Sequence, residues 1–271
     1  MNLAEAAPVV LIGAGKMGGA LARGWIANGL PPGGLALVEP APAPEIKSFA
    51  KTHGIALLAR PPVKAARVLV IAVKPQSIVE VMDKAKVSVG EGTLVLSIAA
   101  GVTVAALSKG LGAERVIRTM PNTPAQIGKG MTGVFAGSGA SAKDKSLARL
   151  LLRAAGDSIW VEDESLLDVV TAVSGSGPAY VFHLVEALAE AAHDEGLDAA
   201  TAMTLARQTI IGSAALLEAD PAPAAELRQN VTSPGGTTAA ALKILMGDKG
   251  LADLMKRAVA AARKRSEELG R

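Results

Sequence analysis

The chain lacks cysteine and has few histidine and aromatic residues. Its 271 residues include no Cys and three His, and only 2% are Phe, Trp or Tyr. The absence of Cys excludes disulfide bonds and thiolate catalysis, and fits a reducing compartment. The isolated His53, His183 and His193 do not form a metal-binding pattern. We therefore predict no metal site and a cytoplasmic location.

Long apolar runs and a strong net charge are also missing. No apolar run reaches the roughly 18 residues that a membrane-spanning helix needs, and the formal net charge is only +3. The basic cluster Arg263-Lys264-Arg265 stands near the end of a predicted helix, where cations complement the helix dipole. We expect a soluble protein that binds neither a membrane nor a nucleic acid.

The first part of the chain alternates between short apolar runs and helical periodicity. Half of all residues are hydrophobic, and a core of Ala, Val, Leu and Ile suits parallel strands covered by helices. Strands are predicted at 9–12, 35–38, 55–58, 68–73, 94–98, 116–120 and 158–161, and helices at 17–28, 45–51, 78–87, 104–111 and 142–155. This alternation predicts an α/β fold with a doubly wound parallel sheet of Rossmann type.

The second part of the chain shows only helical periodicity. Leu184, Leu188 and Ala191 form a stripe at helical spacing, and Ser174–Pro178 and Ser233–Gly236 interrupt the pattern. We predict a dinucleotide-binding domain over 1–162 and an all-helical domain over 163–271. Because the helices are Ala-rich and apolar around much of their circumference, we expect them to pack against a second subunit.

A glycine-rich turn lies between the first strand and the first helix. Gly13, Ala14, Gly15, Lys16, Met17 and Gly18 match G-x-G-x-x-G, in which the glycines permit the turn, the approach of a pyrophosphate and close helix packing. Glu39 closes the second strand, where an acidic residue accepts hydrogen bonds from a ribose and favours NAD over NADP. The alternative is a purely structural turn.

Two further strands end in short peptides that are predicted to lie at the same ligand-binding crevice as the glycine-rich turn. Ala72-Val73-Lys74-Pro75 and Ser97–Gly101, which includes Ala99 and Ala100, follow the fourth and fifth strands. Ligands of doubly wound folds lie at these carboxyl ends. Simple strand termination by Pro and Gly is the alternative.

A loop of small residues precedes a late helix. In Val231–Thr238, Pro234 ends one element, Gly235 and Gly236 permit unusual backbone angles, and two threonines open the next helix. A helix N-terminus of this kind can bind a carboxylate. An ordinary helix–helix turn is the alternative.

Together these segments resemble the pyrroline-5-carboxylate reductase family. The residues that carry the resemblance are GAGKMG, AVKP, MPNTP at Met120–Pro124, SGSGPAY at Ser174–Tyr180 and NVTSPGGTT at Asn230–Thr238, and they span nearly the whole chain. The resemblance implies reduction of 1-pyrroline-5-carboxylate to L-proline by NADPH or NADH. It also implies a homodimer formed by the helical domain, often assembled into a decamer.

The resemblance also implies roles for individual residues. The substrate carboxylate would be held by Ser233, Gly235, Gly236, Thr237 and Thr238. Thr238 would also face the ring nitrogen, and Glu164 and Asn230 would line the same pocket. The nicotinamide would lie near Ala99–Gly101 and Asn122. In one departure, Ala59-Arg60-Pro61-Pro62 replaces a loop that carries an asparagine in many relatives.

Two other functions remain as alternatives. A different dehydrogenase of Rossmann and helical domains, such as a β-hydroxyacid dehydrogenase, would use a Lys and an Asn on the helix after Ser174–Pro178, and this helix has no such pair. A non-catalytic dinucleotide sensor would not need the second anion site at Ser233–Thr238. Hydride transfer requires positioning rather than a protein nucleophile. We interpret Tyr180 as a packing residue with a tethered hydroxyl, and a role as proton donor is the alternative.

Overall fold

The structure is a computed structural model that describes residues 2–270. Within these residues, eight strands form one sheet in the order β3-β2-β1-β4-β5-β6-β7-β8. The strands are β1 (Val9–Ile12), β2 (Leu35–Val38), β3 (Ala56–Leu58), β4 (Val68–Ile71), β5 (Leu94–Ser97), β6 (Val116–Met120), β7 (Gly130–Ala136) and β8 (Gly156–Trp160).

The helices fall between the strands and then continue alone to the C-terminus. They are α1 (Lys16–Ala27), α2 (Pro44–His53), α3 (Ile78–Ala85), α4 (Val104–Leu111), α5 (Ala142–Leu152), α6 (Leu166–Val170), α7 (Gly177–Asp194), α8 (Ala199–Ala219), α9 (Ala224–Asn230), α10 (Thr237–Leu245) and α11 (Leu251–Leu269). Among the described helices, none combines the length and the apolar character that a bilayer crossing requires.

Helices cover both faces of the sheet. Leu11 of β1 belongs to one buried cluster with Trp25 of α1, whereas the next residue, Ile12, belongs to a second cluster with Met82 of α3 and Leu107 of α4. Successive strand residues point to opposite faces, so fully apolar strands require a helical layer on each side. The predicted doubly wound Rossmann-type sheet is confirmed.

Strand β7 departs from the predicted parallel arrangement. It runs antiparallel to β6 and parallel to β8, and its sequence did not predict a strand. A Cβ atom on Gly133 would lie 2.5 Å from Val170 Cγ1, and one on Gly130 would lie 2.6 Å from the Ala155 carbonyl oxygen. Close packing therefore requires glycine at two of its seven positions, and glycine weakens the sequence signal of a strand.

Internal contacts divide the chain into two compact units. The first unit extends through Ser176 and also includes the segment from Ala262 onward, while the second comprises Gly177–Ala261. The first unit holds the sheet, and a π-helical turn at Thr171–Gly175 lies near the end of its first segment. In the second unit α7 packs against α8. The predicted all-helical second part is thus confirmed.

Candidate functional site

The glycine-rich turn between β1 and α1 is closely packed. Gly13 has φ +92°, and a Cβ atom there would lie 2.4 Å from the Ala72 carbonyl oxygen. A Cβ atom on Gly18 would lie 2.0 Å from the Gly13 carbonyl oxygen. Both positions therefore require glycine for the turn itself and for the packing of α1 against the sheet.

Gly15 differs from these two glycines. Its φ of −68° is accessible to any residue, and no described atom lies within 4 Å of the position that its Cβ would occupy. Neither strain nor packing within the described residues explains the glycine. Close approach of a pyrophosphate to the N-terminus of α1 does explain it, so the turn fits a dinucleotide.

A cleft of about 480 Å³ opens beside this turn. It lies at the carboxyl ends of β1 to β4, where the strand order reverses between β1 and β4, which is the ligand position in such folds. Its lining residues are Ile12, Gly13, Val38, Glu39, Pro40, Ala59, Arg60, Pro61, Val73, Ser77, Glu80, Val81 and Lys84.

Glu39 is fixed at the edge of the cleft by the backbone of two neighbouring segments. Its Oε2 accepts a hydrogen bond from the Ala14 N–H at 3.0 Å, and its Oε1 accepts one from the Ala41 N–H at 3.3 Å. The carboxylate is therefore oriented at the turn itself. Arg60 lines the same cleft and adds positive charge, whereas Lys84 is paired there with the Glu80 carboxylate.

The peptides after β4 and β5 lie at the same edge of the sheet. Ala72–Pro75 directly follows β4, and the Ala72 N–H donates to the Ile12 carbonyl at 2.7 Å. Ala99–Gly101 follows β5, with the Ala99 N–H donating to Ser97 Oγ at 3.3 Å. Since β1, β4 and β5 are parallel neighbours, both predicted cofactor segments share the edge that carries the glycine-rich turn.

Asn122 connects three segments near the end of β6. Its Nδ2 donates to Ser174 Oγ at 3.1 Å, and its Oδ1 accepts from the Met131 N–H at 2.9 Å. The side chain thereby ties the carboxyl end of β6 to β7 and to the π-helical turn. The family resemblance implies a position near the nicotinamide for Asn122, but the sequence did not reveal these hydrogen bonds.

Glu164 forms an ion pair inside the first unit. Its Oε1 accepts hydrogen bonds from Arg118 Nη1 at 2.7 Å and from the Val104 N–H, also at 2.7 Å. Arg118 is only 8% exposed in the middle of β6, and a buried cation requires such a partner. The arginine within an apolar strand was the sequence signal for this contact, which the sequence reasoning missed.

The predicted carboxylate loop belongs to the second unit. It connects Asn230, the last residue of α9, with Thr237, the first residue of α10. Gly235 has φ +72°, and Gly236 caps α10 and donates its N–H to the Ser233 carbonyl at 3.1 Å. A glycine cap offers no side-chain acceptor, so the N–H groups of the first turn are left to water or an anion.

Known protein families match both the sheet-containing part of the chain and the helical part. Residues 164–269 match the family described as pyrroline-5-carboxylate reductase dimerisation. Residues 8–101 match the family described as NADP oxidoreductase coenzyme F420-dependent. The chain is 39% identical over 264 residues to pyrroline-5-carboxylate reductase of Pseudomonas aeruginosa, covering 96% of each chain.

Two solved structures extend the similarity to three dimensions. A pyrroline-5-carboxylate reductase from Coxiella burnetii has a TM-score of 0.89 at 37% identity, covering 98% of this chain and 99% of that one. The Plasmodium falciparum pyrroline carboxylate reductase with NADP bound has a TM-score of 0.82 at 28% identity, covering 98% of each. These similarities confirm the resemblance found in the sequence motifs: the chain belongs to the pyrroline-5-carboxylate reductase family.

Proposed function

We propose that this protein is an oxidoreductase that reduces 1-pyrroline-5-carboxylate to L-proline with NADPH or NADH, the last step of proline biosynthesis. The observation that carries the proposal is similarity over nearly the whole chain to proteins named pyrroline-5-carboxylate reductase, one of them solved with NADP bound. The glycine-rich turn and the cleft beside it supply a fitting dinucleotide site in this chain.

The dinucleotide would be held along the carboxyl edge of the sheet. Gly15 allows the pyrophosphate to approach, and Glu39 faces the adenosine ribose. The rest of the proposed contact set consists of Gly13, Ala14, Lys16, Met17 and Gly18 in the turn, Ala72, Val73, Lys74 and Pro75 after β4, Ala99, Ala100 and Gly101 after β5, and Asn122 after β6. When bound, the reduced nicotinamide supplies a hydride.

Cofactor choice depends on opposing charges in the cleft. The Glu39 carboxylate repels a 2′-phosphate and favours NADH. Arg60 lines the same cleft, and a cation of this kind attracts a 2′-phosphate. We therefore propose that both dinucleotides are used.

The substrate would be bound by the loop before α10. Ser233, Gly235, Gly236 and Thr237 would hold its carboxylate through hydroxyl and backbone N–H groups, assisted by the positive end of the helix dipole. The Thr238 hydroxyl would accept a hydrogen bond from the protonated ring nitrogen, and Glu164 and Asn230 would line the pocket. Hydride addition to the imine carbon leaves the π electrons on nitrogen, which already carries its proton.

We further propose that two copies form a homodimer through the helical domain, and that dimers assemble into a decamer. Support comes from the match to a dimerisation family and from apolar side chains such as Phe182, Ile211 and Ile244, which are 63%, 56% and 75% exposed in the single chain. The lack of Cys supports a cytoplasmic location.

A steady-state assay tests this function. The purified protein is mixed with 1-pyrroline-5-carboxylate and either NADPH or NADH, the loss of nicotinamide absorbance is followed, and proline is quantified. We expect one proline for each dinucleotide oxidised, with both dinucleotides. No oxidation with either one would contradict the proposed reaction, and equal oxidation without the imine would indicate a different hydride acceptor.

A further inference from the structure

The last turns of α11 belong to the first unit and are held within it by a buried serine. The surrounding surface is charged, with Arg265 and Glu268 forming an exposed ion pair. Ser266 is only 6% exposed, and its Oγ donates to Asp168 Oδ1 in α6 at 2.6 Å. A short hydrogen bond to a carboxylate is stronger than one between neutral groups. The anchor therefore holds the end of α11 at a defined place.

Two glycines bring this end of α11 into backbone contact with the loop after β5. A Cβ atom on Gly101 would lie 3.1 Å from both Cα and N of Gly270, and one on Gly270 would lie 2.9 Å from the Gly101 carbonyl oxygen. Gly101 also has φ +75°, a conformation that favours glycine. With no side chain between the two backbones, a shift of one segment is passed directly to the other.

The contact lies in the middle of the loop that connects β5 with α4. At the start of the loop, the Ile98 N–H donates to the Ile71 carbonyl at 3.0 Å, so the sheet fixes that position. At the other end, Thr103 caps α4 through the Ala106 N–H at 3.1 Å. Gly101 lies between these two anchors, and Gly270 supports it from outside the dinucleotide-binding segment of the sequence.

We propose that Ser266 and Gly270 are positioning residues for the nicotinamide end of the dinucleotide. The Ser266–Asp168 hydrogen bond holds the last turn of α11, and Gly270 in turn sets the backbone position of Ala99–Gly101. The inference deepens the proposed function, because that function places the nicotinamide beside this loop. The C-terminal turn thus contributes to cofactor binding and hydride transfer without contacting either reactant.

The expected effect follows from the sensitivity of hydride transfer to geometry. A misplacement of about 1 Å remote from the reacting atoms can lower a rate by roughly a hundredfold. Loss of the Ser266–Asp168 hydrogen bond should shift the Ala99–Gly101 loop by less than this distance. We therefore expect cofactor affinity or turnover to fall by about five- to tenfold. The KM for the imine should change less than the dissociation constant for NADPH.

The test uses the full-length protein and two independent variants. Ser266→Ala removes the anchor. Gly270→Ala places a Cβ 2.9 Å from the Gly101 carbonyl oxygen, so the backbone contact between the two segments must open. Glu268→Gln, on the same turn but in an exposed ion pair, is the matched control. NADPH binding is measured by calorimetry, and turnover is measured by the imine assay. The primary isotope effect on imine reduction is measured with NADPH that carries deuterium at C4.

We expect both variants to bind NADPH about five- to tenfold more weakly and to show a larger isotope effect, with the control unchanged. In a double-mutant cycle, the variant that combines Asp168→Ala with Ser266→Ala should lose no more affinity for NADPH than either single variant loses. Lower thermal stability with unchanged NADPH binding and unchanged isotope effect would overturn the proposal. If the wild type does not reduce the imine but both variants still bind NADPH more weakly, only the proposed reaction fails.

Discussion

At the scale of single residues, glycines in one turn serve different purposes. Gly13 and Gly18 are required by backbone conformation and packing, since added Cβ atoms would clash with backbone carbonyl groups. Gly15 has an ordinary φ and open space around its Cβ position. The structure thus separates two glycines that are needed for folding from one that we propose is needed for the dinucleotide.

Replacing Gly15 tests this separation. We expect Gly15→Ala to lower the unfolding free energy by at most about 1 kcal/mol, because alanine caps α1 less well than glycine does but its methyl group meets no described protein atom. The methyl group would occupy the space through which the pyrophosphate approaches, and the dissociation constant for NADPH should rise by about tenfold or more, roughly 1.4 kcal/mol. Gly33→Ala, also free of neighbouring atoms within 4 Å, is the control. Unchanged NADPH affinity in Gly15→Ala would contradict the assignment.

Thr238 is the residue on which the proposed chemistry depends most. Thr238→Ala would remove the proposed hydrogen bond to the charged ring nitrogen, and such a bond is worth roughly 1.5–3 kcal/mol. We expect kcat/KM for the imine to fall by about ten- to a hundredfold, while NADPH affinity stays the same. Thr238→Ser keeps the hydroxyl and should retain most of the activity. If alanine and serine variants behave alike, the hydroxyl has no role in the reaction.

At the scale of secondary structure, the sequence predicted most of the first unit. The predicted bounds of β1, β2, α4 and β6 agree with the observed ones, because each has an unbroken apolar run or clear helical spacing. Strand β7 was missed, since its glycines reflect packing against residues that lie far away in the sequence.

The candidate site was predictable only where a local motif encodes it. The glycine-rich turn and the loop before α10 are local motifs, and the sequence predicts a ligand-binding role for both. The hydrogen bonds of Asn122 to Ser174 and of Arg118 to Glu164 span 52 and 46 residues. Such pairs depend on the tertiary fold, and a single sequence does not show which distant polar groups meet.

Helix α5 offers a test of stability at this scale. Asp144 is 1% exposed and bonds to Arg115 and to Ser141, which caps the helix. Although burial raises the pKa of the Asp144 carboxyl, hydrogen bonds from Arg115 and Ser141 outweigh it and hold the pKa below its usual value. A lowered folded-state pKa stabilises the protein above the unfolded-state pKa, and this stability is lost as the pH falls through the folded-state pKa.

Asp144→Asn should therefore destabilise the protein at neutral pH. We expect the free energy of unfolding to fall by about 2–3 kcal/mol. This loss is smaller than for a fully buried ion pair, because Arg115 remains partly exposed. The difference in unfolding free energy between wild type and variant, measured in urea, should shrink as the pH falls below about 4. Asp83→Asn, in an exposed pair with Lys86, should have almost no effect. A difference that does not depend on pH would contradict the ionic role of Asp144.

At the scale of the whole molecule, the second unit exposes more apolar surface than a lone helical unit tolerates. Helix α8 buries only Ala202 and Ala206 in the single chain, whereas Leu205, Ile211 and Leu216 are each at least half exposed. Large exposed apolar patches mark interaction surfaces, which agrees with the match to a dimerisation family.

Charged substitutions on α8 test the assembly. A variant carrying both Ile211→Glu and Leu216→Glu should be monomeric in analytical ultracentrifugation, because charges inside an apolar interface are left unpaired. We expect this monomeric variant to lose imine reduction as well. Val79→Glu, at a residue of α3 that is 74% exposed, should leave the assembly unchanged. A dimer in the α8 variant would show that this surface is not the interface.

The central claim is direct hydride transfer to a cyclic imine, and isotope tracing tests it most directly. The protein is incubated with 1-pyrroline-5-carboxylate and NADPH that carries deuterium at the transferred C4 position, and the product is analysed by mass spectrometry and NMR. The account predicts L-proline with a single deuterium at C5, the former imine carbon. Absence of proline, or proline without deuterium at C5, would contradict the account.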